Sequence, residues 1–439
     1  MGKARITLLG MVLAGFLGTA QNFDRAKLDR YFDALEQQDR FMGSVAVSKG
    51  GELLYSRAMG YADLDAQIKA DPETKYRIGS ISKTFTAVLA IKAVEAKLLD
   101  LDQKLGEFFP KIPNADQINM TQLLSHRSGI HNFTDDPKYL TYNTQAKTRE
   151  ELISIISEGG SDFEPDAKMA YSNSNYVLLT LILEKVFDKP FARILEEEIT
   201  VPLGLENTYM GGSIDPGNKE SRSYRYLTQW TLEPETDLSI PLGAGAVVSN
   251  PTDLVKFSDA LFGGKLLREE SLELMKTLRD NFGLGLFHIP FYDKAGHGHT
   301  GGIDGFTSVF SHFSDGAVSY AMLSNGTNFN NNDISIAVLS AVYDKAYELP
   351  GFGGFEVDPE LLERYVGVYS SDRIPMKLTI STDKGTLIAQ GSGQPSFALE
   401  ATENNRFEYD PAGVVIEFIP EENTLILKQF GSEIPFKKD

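Results

Sequence analysis

Two periodicities alternate along this chain of 439 residues. Ser44-Val45-Ala46-Val47 and Glu52-Leu53-Leu54-Tyr55 flank Lys49-Gly50-Gly51, and a glycine pair between two β-prone runs predicts a hairpin. From residue 81 to about 205 the apolar positions recur instead at helical spacing. Within that stretch Thr84-Phe85-Thr86-Ala87-Val88-Leu89-Ala90-Ile91 is apolar around most of its circumference, which predicts a helix buried on nearly every side. A second helix reads Tyr176-Val177-Leu178-Leu179-Thr180-Leu181-Ile182-Leu183, with Ser, Asn, Ser and Asn at 172 to 175 suited to its N-cap. Strand signals return at residues 282–289, 306–313 and 318–323, followed by a helical run at 334–347. Strands at both ends with helices between predict an α+β fold, an antiparallel sheet with a helical subdomain against it. The cleft is expected where the two meet. The stretch 211–235 carries Tyr224, Tyr226 and Trp230, read as loop packing or a pocket wall.

Leu349-Pro350-Gly351-Phe352-Gly353-Gly354 breaks this pattern and reads as a linker. Beyond it, short apolar runs at 377, 386, 397, 406, 414 and 424 come at regular intervals. They predict a small all-β C-terminal module, an antiparallel barrel or sandwich of about 80 residues. The expected division is therefore 21–347 for the first domain, 348–358 for the linker and 359–439 for the β module.

Residues 1–20 read as a signal peptide: Lys3 and Arg5, an apolar run from 6 to 17, then Gly18-Thr19-Ala20. That run is too short for a transmembrane helix, so the expectation is an exported protein, periplasmic or secreted, without stable membrane insertion after cleavage. The chain has no cysteine, which excludes disulfides, thiolate catalysis and iron–sulfur chemistry. A net charge of -19 argues against nucleic acid or anionic lipid as partner.

Candidate chemistry begins at Ser80-Ile81-Ser82-Lys83. A serine hydroxyl needs a base within hydrogen-bond reach to become a nucleophile, and residues three apart on a helix share a face. Burial of the helix would lower the Lys83 pKa and free a neutral amine to act as that base. The helix N-terminus would offer N–H groups to a developing oxyanion. Roughly two S-x-x-K matches are expected by chance in a chain of this size, and two occur, the other being Ser381 to Lys384. Only Ser80 opens a long apolar helix; Ser381-Thr382-Asp383-Lys384-Gly385 suits a hairpin turn.

Tyr171-Ser172-Asn173 is the only Y-x-N triplet. Set before a rigid helix, a phenol near an ammonium group could lose its proton more readily and shuttle it between Ser80 and a leaving group. Asn173 could donate to a substrate carbonyl and accept from Lys83; a plain N-cap with a neighbouring tyrosine is the alternative. His299-Thr300-Gly301-Gly302 precedes a strand, and the glycines would let the backbone lie close to a substrate paired along an edge strand. His297 and His299 share a strand face, but no carboxylate or cysteine with ligand spacing adjoins them, and no metal is expected.

Together these motifs resemble the serine β-lactamase, DD-peptidase and esterase superfamily, in particular the class C β-lactamase-related branch. The order S-x-x-K, Y-x-N, [KH]-T-G is that of the family. Tyr76-Arg77-Ile78-Gly79, Leu123-Leu124-Ser125-His126-Arg127-Ser128-Gly129-Ile130 and Gly243-Ala244-Gly245-Ala246-Val247-Val248-Ser249-Asn250 agree with it, from about residue 24 to 347. The resemblance implies a β-lactamase/transpeptidase-like fold, Ser80 as nucleophile, and Lys83 with Tyr171 handling protons. Asn173, His299, Thr300 and Gly301 would bind substrate, and the backbone N–H groups of Ser80 and Gly302 would form the oxyanion hole, with no cofactor. The implied substrates are a D-amino-acid peptide, an ester or a β-lactam. The C-terminal module, opening on Tyr365-Val366-Gly367-Val368-Tyr369, resembles a lipocalin-like barrel appended to this branch.

One departure from the branch is His299, where class C β-lactamases carry lysine. It points away from efficient β-lactam hydrolysis and towards a D-amino-acid peptidase of carboxypeptidase type or an esterase. A weak β-lactamase, or a penicillin-binding sensor without turnover, is the alternative. If His299 held a substrate carboxylate, that pairing would raise its pKa above the ordinary ~6.5.

Overall fold

The computed structural model describes residues 23–352, 355 and 357–439. The expected signal peptide and part of the expected linker lie outside the described residues. Six strands form the central sheet: β1 (Phe41–Lys49), β2 (Glu52–Met59), β3 (Phe287–Phe291), β4 (Lys294–Ile303), β5 (Phe306–Phe313) and β6 (Val318–Thr327). Their order is β3-β4-β5-β6-β1-β2, antiparallel throughout. The two ends of the domain meet where Phe41 to Lys49 pair with Thr327 to Val318.

The helices that matter for the site are α1 (Arg25–Gln37), α2 (Ser82–Glu95), α3 (Met120–Leu124), α4 (Asn173–Phe187), α5 (Pro251–Phe262) and α6 (Asn331–Val342). Side chains alternate across a strand, and the sheet uses both faces. Val45, Val47, Tyr320 and Met322 pack with Leu28 and Phe32 of α1 and Ile334 and Val338 of α6. Ala46, Ala321 and Leu323 face the other way, into a larger core with α2, α4 and α5. The sheet is therefore covered twice, which explains why β1 and β6 are buried along nearly their whole length. Helix α2 is the centre of the larger core: Ser82 through Ile91 are all buried. Phe85 stacks on Phe257 of α5 with ring centroids 3.9 Å apart. Truncating such a ring to alanine costs about 3–5 kcal/mol.

Eight strands from Gly367–Ser370 to Ser432–Lys438 close into a barrel, so no sheet edge is left unpaired. The helix Pro359–Tyr365 contributes Leu362 and Tyr365 to the barrel core, with Tyr365 stacked on Phe418 at 4.3 Å. The barrel meets the first domain through an ion pair of Arg40 with Glu400, and through Asn330 donating its N–H to Asp410 at 2.7 Å. Ser381 lies in the strand Leu378–Asp383, and Lys384-Gly385 forms the two-residue turn to Thr386–Gly391, with φ of 48° and 80°. The S-x-x-K match there is hairpin chemistry.

Candidate active site

Ser80 sits in a short 3-10 turn, Gly79–Ile81, that runs straight into α2. Two glycines fix how closely this turn meets β4. A Cβ on Gly79, whose φ is +51°, would lie 2.8 Å from the nitrogen of Gly302; one on Gly301 would lie 2.1 Å from the carbonyl oxygen of Ile78 and 3.1 Å from the nitrogen of Ser80. Any side chain at either position would push the two backbones apart. The amides of Ser80 and Gly302 are thereby brought to the same small region beside the serine hydroxyl. β4 is an interior strand by sheet order, but its pairing with β3 stops at Gly298 while its pairing with β5 continues to Ile303. Residues 299–303 thus have no strand partner on the side facing Ser80, a local edge inside the sheet.

Lys83 is fully buried, and its Nζ lies 3.0 Å from Ser80 Oγ, 2.7 Å from Asn173 Oδ1 and 2.7 Å from the carbonyl oxygen of Ala244. Burial holds its pKa well below the usual lysine range. Two of its neighbours are carbonyl oxygens that can only accept, so a neutral amine here would spend both N–H groups on them and keep its lone pair for the Ser80 hydroxyl. Asn173 is itself fixed: its backbone N–H donates to Asn132 Oδ1 and its Nδ2 donates to Thr134 Oγ1, both at 2.9 Å.

Tyr171 lies beside them, with Lys83 Nζ 4.9 Å from its ring centroid. Burial raises its pKa, and a hydrogen bond with Ser80 opposes the rise only in part. This reverses the expectation of an easily ionised phenol. Desolvation disfavours the charged phenolate and outweighs the help from Ser80.

His299 is likewise governed by burial. It is only 1 % exposed, packed against Phe287 at 4.5 Å between ring centroids. Burial lowers its pKa to about 3. No anionic side chain adjoins it to pull the value up, so the histidine is neutral rather than a fixed cation. Its Nδ1 is 2.5 Å from the Thr300 carbonyl oxygen, which requires the proton on Nδ1 and leaves Nε2 a buried acceptor with no hydrogen-bond partner in the structure.

A cleft of about 530 Å³ opens on one side of Ser80, with Phe133, Tyr139, Leu140 and Ile303 as apolar lining and Thr134, Asn143, Glu233 and Asp304 as polar lining. A second hollow of about 380 Å³, lined by Tyr171, Phe287, His299 and Gly301, lies on the other. From the stretch 211–235, Glu233 and Pro234 reach the cleft. Tyr224 is buried elsewhere, donating to Asp63 at 3.3 Å.

The structure gathers Ser80, Lys83, Tyr171, Asn173, His299, Thr300, Gly301 and Gly302 at one place. Sequence reasoning gave no role to Ala244, Thr134, Asn132 or His126, which hold Lys83, Asn173 and the backbone beside Tyr171. Ala244 and His126 fall in two of the three further segments that resembled the family beyond its motifs. Among the described residues no cluster of three or more His, Cys, Asp or Glu is placed to hold a metal ion, and no helix is long and apolar enough to cross a membrane.

Similarity to known proteins extends over this whole site. A penicillin-binding protein of Bacillus subtilis is 25% identical over 451 residues, covering 93% of this chain and 97% of that protein. The teichoic acid D-alanine hydrolase of Staphylococcus aureus is 28% identical over 232 residues, 52% of this chain and 55% of that protein. The crystal structure of D-amino acid amidase from Ochrobactrum anthropi superposes with a TM-score of 0.64 at 26% identity, over 72% of this chain and 99% of that one. The Beta-lactamase family matches residues 28–344, a span that holds every residue gathered around Ser80, and the chain belongs to that family as a serine hydrolase.

Proposed function

We propose that the protein is an exported hydrolase that cleaves amides or esters of D-amino acids through an acyl-enzyme on Ser80. The observation that carries this reading is the buried Lys83 amine, 3.0 Å from Ser80 Oγ with two carbonyl acceptors behind it. In the proposed reaction Ser80 Oγ attacks the substrate carbonyl carbon as its proton passes to Lys83 Nζ, and the Ser80 and Gly302 amides receive the oxyanion. Collapse breaks the bond to the leaving group, which takes the proton from Lys83, directly or through the neutral Tyr171 hydroxyl. Water then repeats the sequence on the acyl-enzyme and releases the acid. Tyr171 serves as a relay rather than as the base, since its raised pKa keeps the phenol protonated.

The D-amino acid is supported by two relatives, one named for D-amino acid amides and one for D-alanine on teichoic acid. The cleft lining of Phe133, Tyr139 and Leu140 suits an apolar substituent. Neutral His299 offers no fixed cation to a carboxylate, which favours amides and esters over penicillins. Export rests on the pattern of residues 1–20.

Purified protein assayed with D-phenylalanine amide, L-phenylalanine amide, p-nitrophenyl acetate and benzylpenicillin tests the reading. The expected order is turnover of the D-amide and the ester, little of the L-amide, and slow reaction with penicillin. Preference for the L-amide would overturn the stereochemical assignment.

A further inference from the structure

His126 is fully buried and carries φ +55°, left-handed backbone that is uncommon outside glycine. It grips the chain on both sides of Tyr171. Its carbonyl oxygen accepts the N–H of Ala170 at 3.0 Å, and its Nδ1 accepts the N–H of Ser172 at 3.1 Å. The imidazole lies 4.4 Å from the Tyr171 ring at a tilt of 30°, and the Phe282 ring stands edge-on to it at 4.8 Å. The next turn is tied into the same unit: Ser128 Oγ donates to Asn175 Oδ1 at 2.7 Å, two residues beyond Asn173.

Accepting at Nδ1 requires a neutral ring protonated at Nε2, and burial lowers the pKa in the same sense. That Nε2–H is buried without a hydrogen-bond partner in the structure. An orphaned buried donor is a cost that phenylalanine would avoid. A residue that leaves a buried polar atom unmatched is poorly chosen for stability alone. Such local conflict is expected where function sets the choice.

We infer that His126 is a positioning residue, which sets the main chain and ring of Tyr171 so that the phenol hydroxyl meets Ser80 Oγ. The inference rests on the proposed relay through Tyr171, and displacement of a reacting group by about 1 Å can cost roughly 100-fold in rate. The residue lines neither hollow beside Ser80, so its effect belongs in kcat.

The test is a double-mutant cycle with p-nitrophenyl acetate as substrate. His126→Phe keeps a ring but removes the acceptor; His126→Gly relaxes the left-handed backbone and removes both. Each is expected to lower kcat by about 10- to 100-fold with KM within about 3-fold. His126→Asn, whose carboxamide oxygen can stand near the place of Nδ1 and which tolerates positive φ, should recover most of the loss. In a Tyr171→Phe background the same changes at 126 should cost less than about 3-fold, because the residue they act through is already disabled. Thermal unfolding identifies which of the two acceptor-free variants folds, and the cycle is read from that one. A full loss retained in the Tyr171→Phe background, or no rescue by His126→Asn, would overturn the inference. Turnover that survives Ser80→Ala would instead refute the proposed function and, with it, the relay on which this inference rests.

Discussion

Ser80–Lys83 and Ser381–Lys384 share one spacing and have little else in common. The first pair lies at the buried start of α2, where the amine loses water and gains two carbonyl neighbours and a serine hydroxyl. In the second, both side chains are exposed at the mouth of a hairpin whose turn takes Lys384 and Gly385 through positive φ. The same two residue types are the proposed nucleophile and base in one place and exposed side chains beside a turn in the other. Reactivity here is a property of desolvation and of third and fourth groups supplied from far along the chain, Asn173 and Ala244 above all.

The largest predicted effect follows directly. Ser80→Ala should reduce kcat by at least about 10⁴-fold, while Ser381→Ala should stay within about 2-fold in the same assay. Next, Lys83→Met should cost about 10²- to 10⁴-fold, the usual worth of a positioned base. Lys83→Arg should do no better, because a guanidinium keeps its proton. Lys384→Met should leave kcat unchanged. In the wild type, kcat/KM should be sustained at neutral pH and fall as acid titrates the lowered Lys83 pKa. A Lys83→Met variant whose residual rate keeps that acidic limb would break the contrast, by showing that another group titrates there.

Acid stability should distinguish the two domains more gently. His299 and His312 are buried with pKa values lowered to about 3 and about 4, against ~6.5 in the unfolded chain. The unfolded state therefore binds more protons below that value. The stability is intact above pH ~6.5 and is lost as pH falls towards these folded-state values, by an amount on the order of a few kcal/mol. The barrel segment contains no histidine. Fluorescence of the single tryptophan, Trp230, which packs beside Gly326 in the first domain, should report a lower Tm at pH 5 than at pH 7. His299→Gln should lessen that difference. Equal acid sensitivity in wild type and variant would remove His299 from the account.

The smallest effect is expected from removing the barrel. It adds no group to the site around Ser80, so a chain ending near Glu348 should fold and turn over p-nitrophenyl acetate within about 3-fold of the full chain. A collapsed thermal transition on truncation would mean that contacts such as Arg40 with Glu400 and Asn330 with Asp410 join the two parts into one cooperative unit.

The elements best read from sequence are those with a strong period and a local cap. The apolar run of α2, the Asn-rich start of α4 and the Lys49-Gly50-Gly51 hairpin all stand where the pattern puts them. Helix α1 went unread although Leu28, Tyr31, Phe32 and Leu35 form a clear apolar stripe. The last barrel strand, Ser432–Lys438, was missed because Pro435 interrupts it and Phe436 is its one buried residue. Within the site, residue types were legible and electrostatics were not. The protonation of Lys83, Tyr171 and His299 depends on burial by residues remote in sequence, and only their assembly shows that Tyr171 rises and His299 falls. The partners of Asn173, namely Asn132 and Thr134, were hidden for the same reason.

The central claim is that Ser80, and not another of the chain's many hydroxyls, forms the acyl-enzyme. Intact-protein mass spectrometry after exposure to a fluorophosphonate, followed by peptide mapping, tests it most directly. One adduct is expected, carried by the peptide containing Ser80, absent in Ser80→Ala, slowed in Lys83→Met and unchanged in Ser381→Ala. An adduct mapped to any other residue, or labelling that survives Ser80→Ala, would contradict the account.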